Sequence, residues 1–466
     1  MILLVYPDCK LTNYQGVSNT ISAIQPNIYM ALLHSYLKSK NIETLMINCD
    51  VSKFSNDKVV EIVEGLKPKL VGVIGIGHNL ASSTMSMVGV IDLCTKLKQS
   101  SSGSKTFVLG GHTSVLPERT LQETGADYAI VGEGYKEIVD LYRNGSNKQI
   151  IKTNRLIDAD ELPMVDWSSM NPNKHRAHNW HCFGDDDNRV PYATIWTSLG
   201  CSFPCSFCSV NNLFGSRGYR KRNLDSVIKE IDLLVNTYNV KNIKIIDDLF
   251  ITTESRAIQF CDLLEERKYD LNMWCFSRVD TVNENILNRL KKVGMNWIAY
   301  GFETPNQTHL DITKKLNDST SYETVIKITQ EAGINIIADV IVGLPDDTYE
   351  TIKQTYDFCV KSNFEFVNVY PAFAYPGTPF YDMAIKENLM STPVNWAEYS
   401  PYGHACKPLK TKYLCSEEVL ILRDKFFKDY HSRPEYLQMI EFKFGMKSKE
   451  SVEEMNSIEL KRVLYD

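Results

Sequence analysis

Three cysteines in one short segment carry the clearest chemistry in the sequence. Cys201, Cys205 and Cys208 have the spacing C-x3-C-x2-C and end a strand-like segment at 193–200. Thiolates hold iron–sulfur clusters, and three of them can ligate three irons of a [4Fe–4S] cube while the fourth iron stays open. The alternative, a structural zinc site, needs a fourth ligand and usually two C-x2-C pairs. The sequence has no second such pair, so the spacing favours the cluster.

The cysteine loop resembles that of the radical S-adenosylmethionine superfamily. In that superfamily an aromatic residue precedes the last cysteine, and Phe207 stands in that place. The resemblance covers most of residues 189–390. It implies that the open iron binds the amino and carboxylate groups of S-adenosylmethionine, and that reduction by a donor such as flavodoxin or ferredoxin releases a 5′-deoxyadenosyl radical. Phe207 then belongs to the S-adenosylmethionine site.

The same resemblance places further S-adenosylmethionine contacts at the strand ends. Asp247 or Asp248 would contact the methionine amino group, and Arg278 would pair with the carboxylate through its guanidinium fork. Glu303 would accept from the ribose hydroxyls or the amino group, and Gly343 would let the backbone approach the adenine. For each carboxylate, a salt bridge or a helix cap is the alternative. No residue is assigned as a catalytic acid, base or hydrogen-atom donor.

Glycine-rich segments at 67–73, 109–118 and 126–134 resemble the cobalamin-binding domain that precedes many radical enzymes. Glycines at strand ends suit a flat macrocycle that lies against the backbone. The resemblance implies cobalamin contacts from His78, Ser83, Gly110, Gly111, His112, Val131, Gly132, Glu133 and Gly134. A strand-end histidine that is satisfied within the protein is the alternative for His78 and His112. The first domain has no Asp-x-His-x-x-Gly motif, which implies cobalt without a histidine lower ligand; loss of cobalamin is a second alternative.

Two alternating series of elements must position these residues. In the first, continuous Val/Ile runs indicate strands that are buried on both faces, and their alternation with helices predicts an α/β, flavodoxin-like (Rossmann-type) parallel sheet. The second, with six βα units, predicts a full or partial (β/α) TIM-like barrel whose active site lies at the strand carboxyl ends. A mainly helical tail follows. The predicted boundaries are 1–143 for the cobalamin-binding domain, 144–188 for a connector, 189–390 for the radical barrel and 391–466 for the C-terminal extension.

The connector holds a second group of candidate ligands, namely His175, His178, His181 and Cys182. Histidines three residues apart can bind a transition metal. The segment is typical of a loop, however, and Trp180 predicts packing over the mouth of the barrel. We therefore favour a substrate-facing or interdomain role for this segment over a metal site.

Composition excludes several classes of function. The 466 residues carry a formal net charge of -6, which argues against an extended nucleic-acid surface. No apolar run approaches the roughly 20 residues of a membrane span, and the N-terminal MILLVYP has the pattern of a strand rather than a signal peptide. The expected location is the cytoplasm. Most of the nine cysteines outside the triplet have the pattern of buried thiols.

Together the motifs predict a cobalamin-dependent radical S-adenosylmethionine enzyme. Its cofactors would be a [4Fe–4S] cluster, S-adenosylmethionine and cobalamin, and its reaction would methylate an unactivated carbon of a small molecule such as a sugar or another polar metabolite. Radical rearrangement, epimerisation or cyclisation without methyl transfer is the first alternative. A non-catalytic cobalamin- or metal-binding protein is the second.

Overall fold

Two parallel β-sheets organise the chain. The computed structural model describes residues 1–17, 21–77, 79–315, 321–390 and 392–465. The first sheet contains β1 Ile2–Tyr6, β2 Thr44–Asn48, β3 Leu70–Ile74, β4 Lys105–Leu109, β5 Tyr128–Val131 and β6 Ile150–Lys152. The second contains β7 Tyr192–Ile195, β10 Asn242–Ile245, β11 Asn272–Ser277, β12 Met295–Glu303, β13 Asn335–Val342 and β14 Phe366–Pro371, and a short antiparallel ribbon pairs β8 Ser198–Leu199 with β9 Arg220–Lys221.

The first sheet has the strand order β2-β1-β3-β4-β5-β6, and each pair of neighbours is parallel. Successive side chains of a strand point to opposite faces, and in β1 Leu4 packs into one apolar core while Leu3 and Val5 pack into another. Helices therefore cover both faces, which explains why β1 and β3 are continuous apolar runs. The flavodoxin-like prediction is confirmed. β6 lies inside the segment predicted to be a connector.

The second sheet has the order β14-β13-β12-β11-β10-β7, so each strand is parallel to its neighbour in the chain. β7 and β14 are its two edges, which makes it a partial (β/α) barrel. The strand predicted at 193–200 ends at Ile195, and the chain then enters the ribbon formed by β8 and β9. The cysteine loop follows β8.

Helices connect the strands and form the C-terminal extension. In the first domain and connector they span Lys10–Tyr14, Ile28–Ser39, Cys49–Ser52, Asn56–Leu66, Met87–Gln99, Gly111–Val115, Pro117–Thr124, Tyr135–Asn144 and Trp167–Met170. In the barrel and the extension they span Leu224–Tyr238, Glu254–Glu265, Glu284–Lys292, Gln307–Ile312, Tyr322–Glu331, Tyr349–Ser362, Pro379–Lys386, Ser416–Ser432, Pro434–Phe444 and Met446–Ser457. Side chains of Asn223, Thr253 and Asn283 accept backbone N–H groups at the starts of three barrel helices, which fixes where those helices begin. Across the described ranges, no helix has the length and apolar character that crossing a bilayer requires.

The connector fills the end of the barrel that lies opposite the cysteine loop. The Trp180 ring centroid lies 5.1 Å from that of Trp274, 5.5 Å from that of Trp297 and 5.9 Å from that of Phe366, all inside the barrel. His181 Nε2 lies 2.9 Å from the carbonyl oxygen of Asn272, at the start of β11. The prediction that this segment covers the barrel mouth is therefore wrong. The large rings of Trp274, Trp297 and Phe366 near the starts of the strands leave a space inside the barrel. Close packing requires another large ring in that space, and Trp180 fills it.

The connector histidines bond to separate backbone groups rather than to one another. His175 Nε2 lies 3.2 Å from the Met170 carbonyl oxygen, and His181 contacts Asn272. Burial holds the pKa of His178 well below its usual value, so its imidazole is neutral. Within the described ranges, no three His, Cys, Asp or Glu side chains gather closely enough to hold a single metal ion.

Candidate active site

Polar contacts fix the cysteine loop at both ends. The Cys201 N–H donates to Asn211 Oδ1 at 3.2 Å, and Asn211 Nδ2 donates back to the Cys201 carbonyl oxygen at 2.9 Å. In the middle of the loop, the Ser206 N–H and hydroxyl both donate to the Thr313 carbonyl oxygen, at 2.8 and 2.9 Å. The backbone that carries the three thiols is therefore held in place by the barrel. Phe207 is half-buried and packs into an apolar cluster around Leu344.

Burial acts on two of the three thiols. It raises the pKa of Cys208 to about 12 and also raises that of Cys201, and the neighbouring cysteines add to both shifts. These two thiols are therefore protonated until a metal displaces their protons. In a cluster each thiolate binds a different iron, whereas a single ion needs all its ligands around one atom. The described part of the chain has no group of side chains that could hold a single metal ion. The three neighbouring thiols of this loop therefore fit a cluster better than a single ion.

Arg278 reaches the cysteine loop from the end of β11. Its Nη1 lies 3.8 Å from Cys205 Sγ, and its guanidinium carbon lies 3.8 Å from the centre of the Phe203 ring. Its Nε and Nη2 donate to the two carboxylate oxygens of Asp280, at 2.8 and 2.7 Å. The fork that the resemblance assigned to the S-adenosylmethionine carboxylate is thus occupied by Asp280. The positive charge nevertheless lies beside the thiols.

Glu303 ends β12 in a backbone bulge and pairs with a lysine. Its φ is 62°, and the register with β13 shifts between Gly301 and Glu303. Lys315 Nζ lies 2.6 Å from Glu303 Oε1. Burial lowers the pKa of Lys315, but the charge and hydrogen bond of Glu303 act together with the nearby Cys205, and the net pKa is raised. A Cβ on Gly301 would lie 2.6 Å from Glu303 Oε1 and 2.7 Å from Lys315 Nζ, so any larger residue would displace the ends of these two side chains.

The two adjacent aspartates after β10 have different surroundings. Asp247 is buried and accepts from the Thr197 N–H, the Thr197 hydroxyl and the Ser198 hydroxyl at 2.6, 2.6 and 2.8 Å. It therefore braces the chain that leads into the cysteine loop. Asp248 is half-buried, and burial together with the charge of Asp247 raises its pKa to about 7. Of the two candidates, only Asp248 keeps solvent contact.

Replacement of Asp247 by alanine is expected to lower the free energy of unfolding by about 3 kcal/mol, because two hydroxyls and one N–H lose a charged partner in a buried site. Denaturant unfolding followed by circular dichroism measures the change. The matched control is Asp357→Ala on an exposed helix, which is expected to shift stability by less than about 0.5 kcal/mol. Equal effects of the two substitutions would contradict the bracing role.

Gly343 lies where the C-terminal extension packs onto the barrel. Its N–H and that of Leu344 donate to Asp347 Oδ2, each at 2.9 Å. A Cβ on Gly343 would lie 2.5 Å from Cγ1 of Val419 in the helix Ser416–Ser432. The structure thus gives this glycine a packing reason, and its approach to adenine stays a prediction.

The carboxyl edge of the first sheet meets the cysteine loop. Gly110 approaches β3 so closely that a Cβ there would lie 2.6 Å from the Gly75 carbonyl oxygen. A Cβ on Gly111 would meet nothing nearer than 3.9 Å, where Ser83 Oγ and Asn212 Cβ lie. Asn212 follows the last cysteine of the loop, so the buried Gly111 lies against the barrel domain. The buried Thr113 hydroxyl has no hydrogen-bond partner in the described part of the chain, which fits a polar ligand at this edge.

His112 and Ser83 hold the loops of this edge rather than point into open space. His112 is buried, its Nδ1 lies 3.2 Å from the Thr84 hydroxyl, and its ring meets that of Trp396 edge-on at 4.5 Å. Burial lowers its pKa to about 3. The Ser83 hydroxyl donates to the Leu80 carbonyl oxygen at 2.8 Å. The Nδ1 contact of His112 is that of a strand-end histidine, whereas its buried Nε2 has no hydrogen-bond partner among the described residues. His78 lies outside the described residues.

The turn after β5 ties the two domains together. Val131 ends the strand, the Gly132 N–H donates to Ser114 Oγ at 3.0 Å and the Gly134 N–H donates to Thr153 Oγ1 at 2.9 Å. Glu133, which is buried, forms an ion pair of 2.6 Å with Arg220 in β9. Sequence reasoning missed Arg220 and Lys315, since each acts through a partner on another loop or turn, and it also missed Asp280, which pairs with the nearby Arg278.

Comparisons with known proteins agree with this arrangement. The model of the radical SAM superfamily matches residues 197–359, and that of the B12 binding domain matches residues 14–141. An uncharacterized methyltransferase of Pyrococcus horikoshii is 26% identical over 94% of this chain and 93% of its own length. An anaerobic magnesium-protoporphyrin IX monomethyl ester cyclase of Cereibacter sphaeroides is 26% identical over 90% of this chain and 68% of its own length.

Solved structures share the fold. The radical S-adenosylmethionine methyltransferase TsrM from Kitasatospora setae, with tryptophan substrate and a SAM analog bound, superposes with a TM-score of 0.69 at 15% identity, covering 97% of this chain and 98% of that one. The cobalamin-dependent S-adenosylmethionine radical enzyme OxsB gives a TM-score of 0.69 at 14% identity, covering 97% and 72%. The fold and site define a radical enzyme with an additional cofactor-binding domain. Residues 197–359 thus carry a radical SAM domain and residues 14–141 a B12 binding domain; the cofactors of these domains are a [4Fe–4S] cluster, S-adenosylmethionine and cobalamin.

Proposed function

We propose that this enzyme methylates an unactivated carbon of a small molecule. The observation that carries the proposal is the meeting of the cobalamin-domain edge with the cysteine loop. Ser209, next to Cys208, donates to the Ala81 carbonyl oxygen at 2.7 Å, and Gly111 faces Asn212. When bound, the cluster supplies the electron that cleaves S-adenosylmethionine to a carbon radical, and cobalamin supplies a methyl group. An electron donor such as flavodoxin or ferredoxin reduces the cluster.

The chain itself positions these groups. Cys201, Cys205 and Cys208 hold the cluster, and the Arg278 charge beside Cys205 offsets the negative charge of its thiolates. Glu303 and Asp248 lie at the strand ends beside this loop. We assign them to the methionine amino group and the ribose, with Glu303 exchanging Lys315 for the ligand's ammonium group.

Glu303→Gln is expected to weaken S-adenosylmethionine binding by at least about tenfold, because a neutral amide no longer balances an ammonium group. Equilibrium dialysis of the cluster-loaded protein with S-adenosylmethionine measures the affinity. Glu323→Gln, an exposed carboxylate that pairs with Lys361 on the barrel surface, is the control and should bind as wild type. Unchanged affinity in the Glu303 variant would refute this assignment.

The reaction itself is tested by anaerobic reconstitution with the cluster, cobalamin and S-adenosylmethionine that carries a deuterated methyl group. A small-molecule extract is supplied as the source of substrate. The proposal expects 5′-deoxyadenosine and S-adenosylhomocysteine to rise together with the extract, and one metabolite to gain the deuterated methyl group by mass spectrometry. Absence of reductive cleavage would instead favour a non-catalytic binding protein.

A second candidate is a radical cyclisation or rearrangement without methyl transfer. The similarity to a relative named as a cyclase favours it. In the same assay, this reaction would produce 5′-deoxyadenosine and a changed metabolite, with no labelled methyl group in the product. Such a result would overturn the methyltransferase proposal.

A further inference from the structure

Half-exposed side chains line the interior of the barrel near its open end. On β13, Asp339 and Ile341 keep solvent contact, whereas the residues that alternate with them are buried. On β14, Asn368 is half-buried and Tyr370 is 37% exposed. Because alternate residues of a strand share one face, these side chains all point to one side of the sheet. Asn368 shares that side with Phe366, which packs on Trp180 inside the barrel. The barrel interior therefore holds open space above the ring of Trp180.

Two opposite charges lie on different strands of this sheet, Lys244 buried and Asp339 half-buried. Lys244 is on β10 and Asp339 is on β13, and β11 and β12 separate these strands in the sheet. Lys244 Nζ donates to Gln25 Oε1 at 3.0 Å and lies 5.2 Å from the ring centre of Phe276. Asp339 Oδ1 accepts from Asn368 Nδ2 at 2.8 Å. In the described part of the chain, neither forms an ion pair with an oppositely charged side chain.

Burial acts on both groups in the direction that removes charge. It lowers the pKa of Lys244 to about 7, against the opposing effect of Asp248 and Asp339. It raises the pKa of Asp339 to about 7, where Glu303 adds to the shift and Asn368, Lys315 and Lys244 oppose it. A buried ionisable group without a counter-ion is costly, so such groups are kept where a ligand supplies the missing charge.

We propose that Lys244 and Asp339 form the substrate site, and that the substrate is a small zwitterion that carries a carboxylate and an amino group. The carboxylate pairs with Lys244, and the ammonium group pairs with Asp339. Phe276 and Tyr370 flank the body of the molecule. Gln25 belongs to the cobalamin-binding domain, so the substrate lies within reach of both domains. This inference rests on the proposed function only in taking the barrel interior as the place of the substrate.

Binding alone tests the inference, in the holoenzyme and without a reductant. The probes are three separate mixtures: the standard α-amino acids, their α-hydroxy acid analogues and primary alkylamines. After ultrafiltration, retained compounds are identified by mass spectrometry. We expect one or more amino acids to be retained, and neither the hydroxy acids nor the amines. Retention of no amino acid, or equal retention of a singly charged analogue, would overturn the inference.

Substitutions locate the site. Lys244→Met and Asp339→Asn are each expected to reduce amino-acid retention by at least about tenfold, while S-adenosylmethionine stays bound in the same samples and reports an intact fold. Lys353→Met and Asp357→Asn, which alter an exposed ion pair of the helix Tyr349–Ser362, are the matched controls. Wild-type retention in both interior variants would also overturn the inference. This test measures binding without turnover, so it can succeed or fail independently of whether the enzyme transfers a methyl group.

Discussion

Cys205→Ala is expected to abolish reductive cleavage of S-adenosylmethionine, with 5′-deoxyadenosine formation falling by at least ~10³-fold. Two remaining thiolates cannot hold three irons of the cube, and the neighbouring Ser206 hydroxyl is engaged with the Thr313 carbonyl oxygen. The purified, reconstituted variant should lose the brown absorbance of the cluster and its bound iron. Both are measured beside the rate of 5′-deoxyadenosine formation.

Cys415→Ala provides the matched control for this experiment. Cys415 is an exposed thiol at the start of the helix Ser416–Ser432, so its removal should leave iron content and cleavage rate at the wild-type level. If the Cys205 variant kept its iron and its cleavage activity, the cluster would have to lie elsewhere, and the assignment of the radical site to this loop would fail.

Gly111→Trp is expected to reduce cobalamin binding by at least about a hundredfold. Gly111 is buried, and a Cβ there would already be in van der Waals contact with Ser83 and Asn212 at 3.9 Å. An indole would have to push these two residues apart at the edge where we place cobalamin, and circular dichroism checks that the domain is still folded. The visible absorbance of cobalamin that remains after gel filtration gives the occupancy.

Gly65→Trp is the control for any effect on cobalamin binding of adding an indole elsewhere in the same domain. Gly65 is on the exposed surface of the helix Asn56–Leu66, where a Cβ would meet nothing within 4 Å. Cobalamin occupancy in this variant should equal that of the wild type. If Gly111→Trp also bound cobalamin at full occupancy, the cofactor would not lie at this edge of the sheet.

Local patterns in the sequence predicted the sheets and the cysteine loop. The Val/Ile runs of β1 and β3 are visible because both faces of those strands are buried, and the thiol spacing is visible because one loop carries all three ligands. The pairing of Arg278 with Asp280 is also local, and their two-residue spacing is compatible with an ion pair. The family resemblance assigns the strand-end arginine to a ligand, so the ion pair was not predicted.

Contacts between distant segments could not be predicted in this way. Lys315 pairs with Glu303 where a bulge after Gly301 turns the carboxylate. The bulge depends on one residue with a positive φ, and a hydrophobic pattern in the sequence cannot reveal a single residue of that kind. The place of Trp180 depends on the space that Trp274 and Trp297 leave inside the barrel. Polar character alone could not distinguish the bracing Asp247 from the half-buried Asp248, because the difference lies in hydroxyls some 50 residues earlier in the chain.

The ring of Trp180 closes one end of the barrel, so the described part of the radical site opens toward the opposite end. The seam between the two domains, where Glu133 and Arg220 form their ion pair, lies at that end. Opening of this seam would give substrate and product access to the site. A reactive radical generated there is shielded from the solvent on the far side by tryptophan and phenylalanine rings.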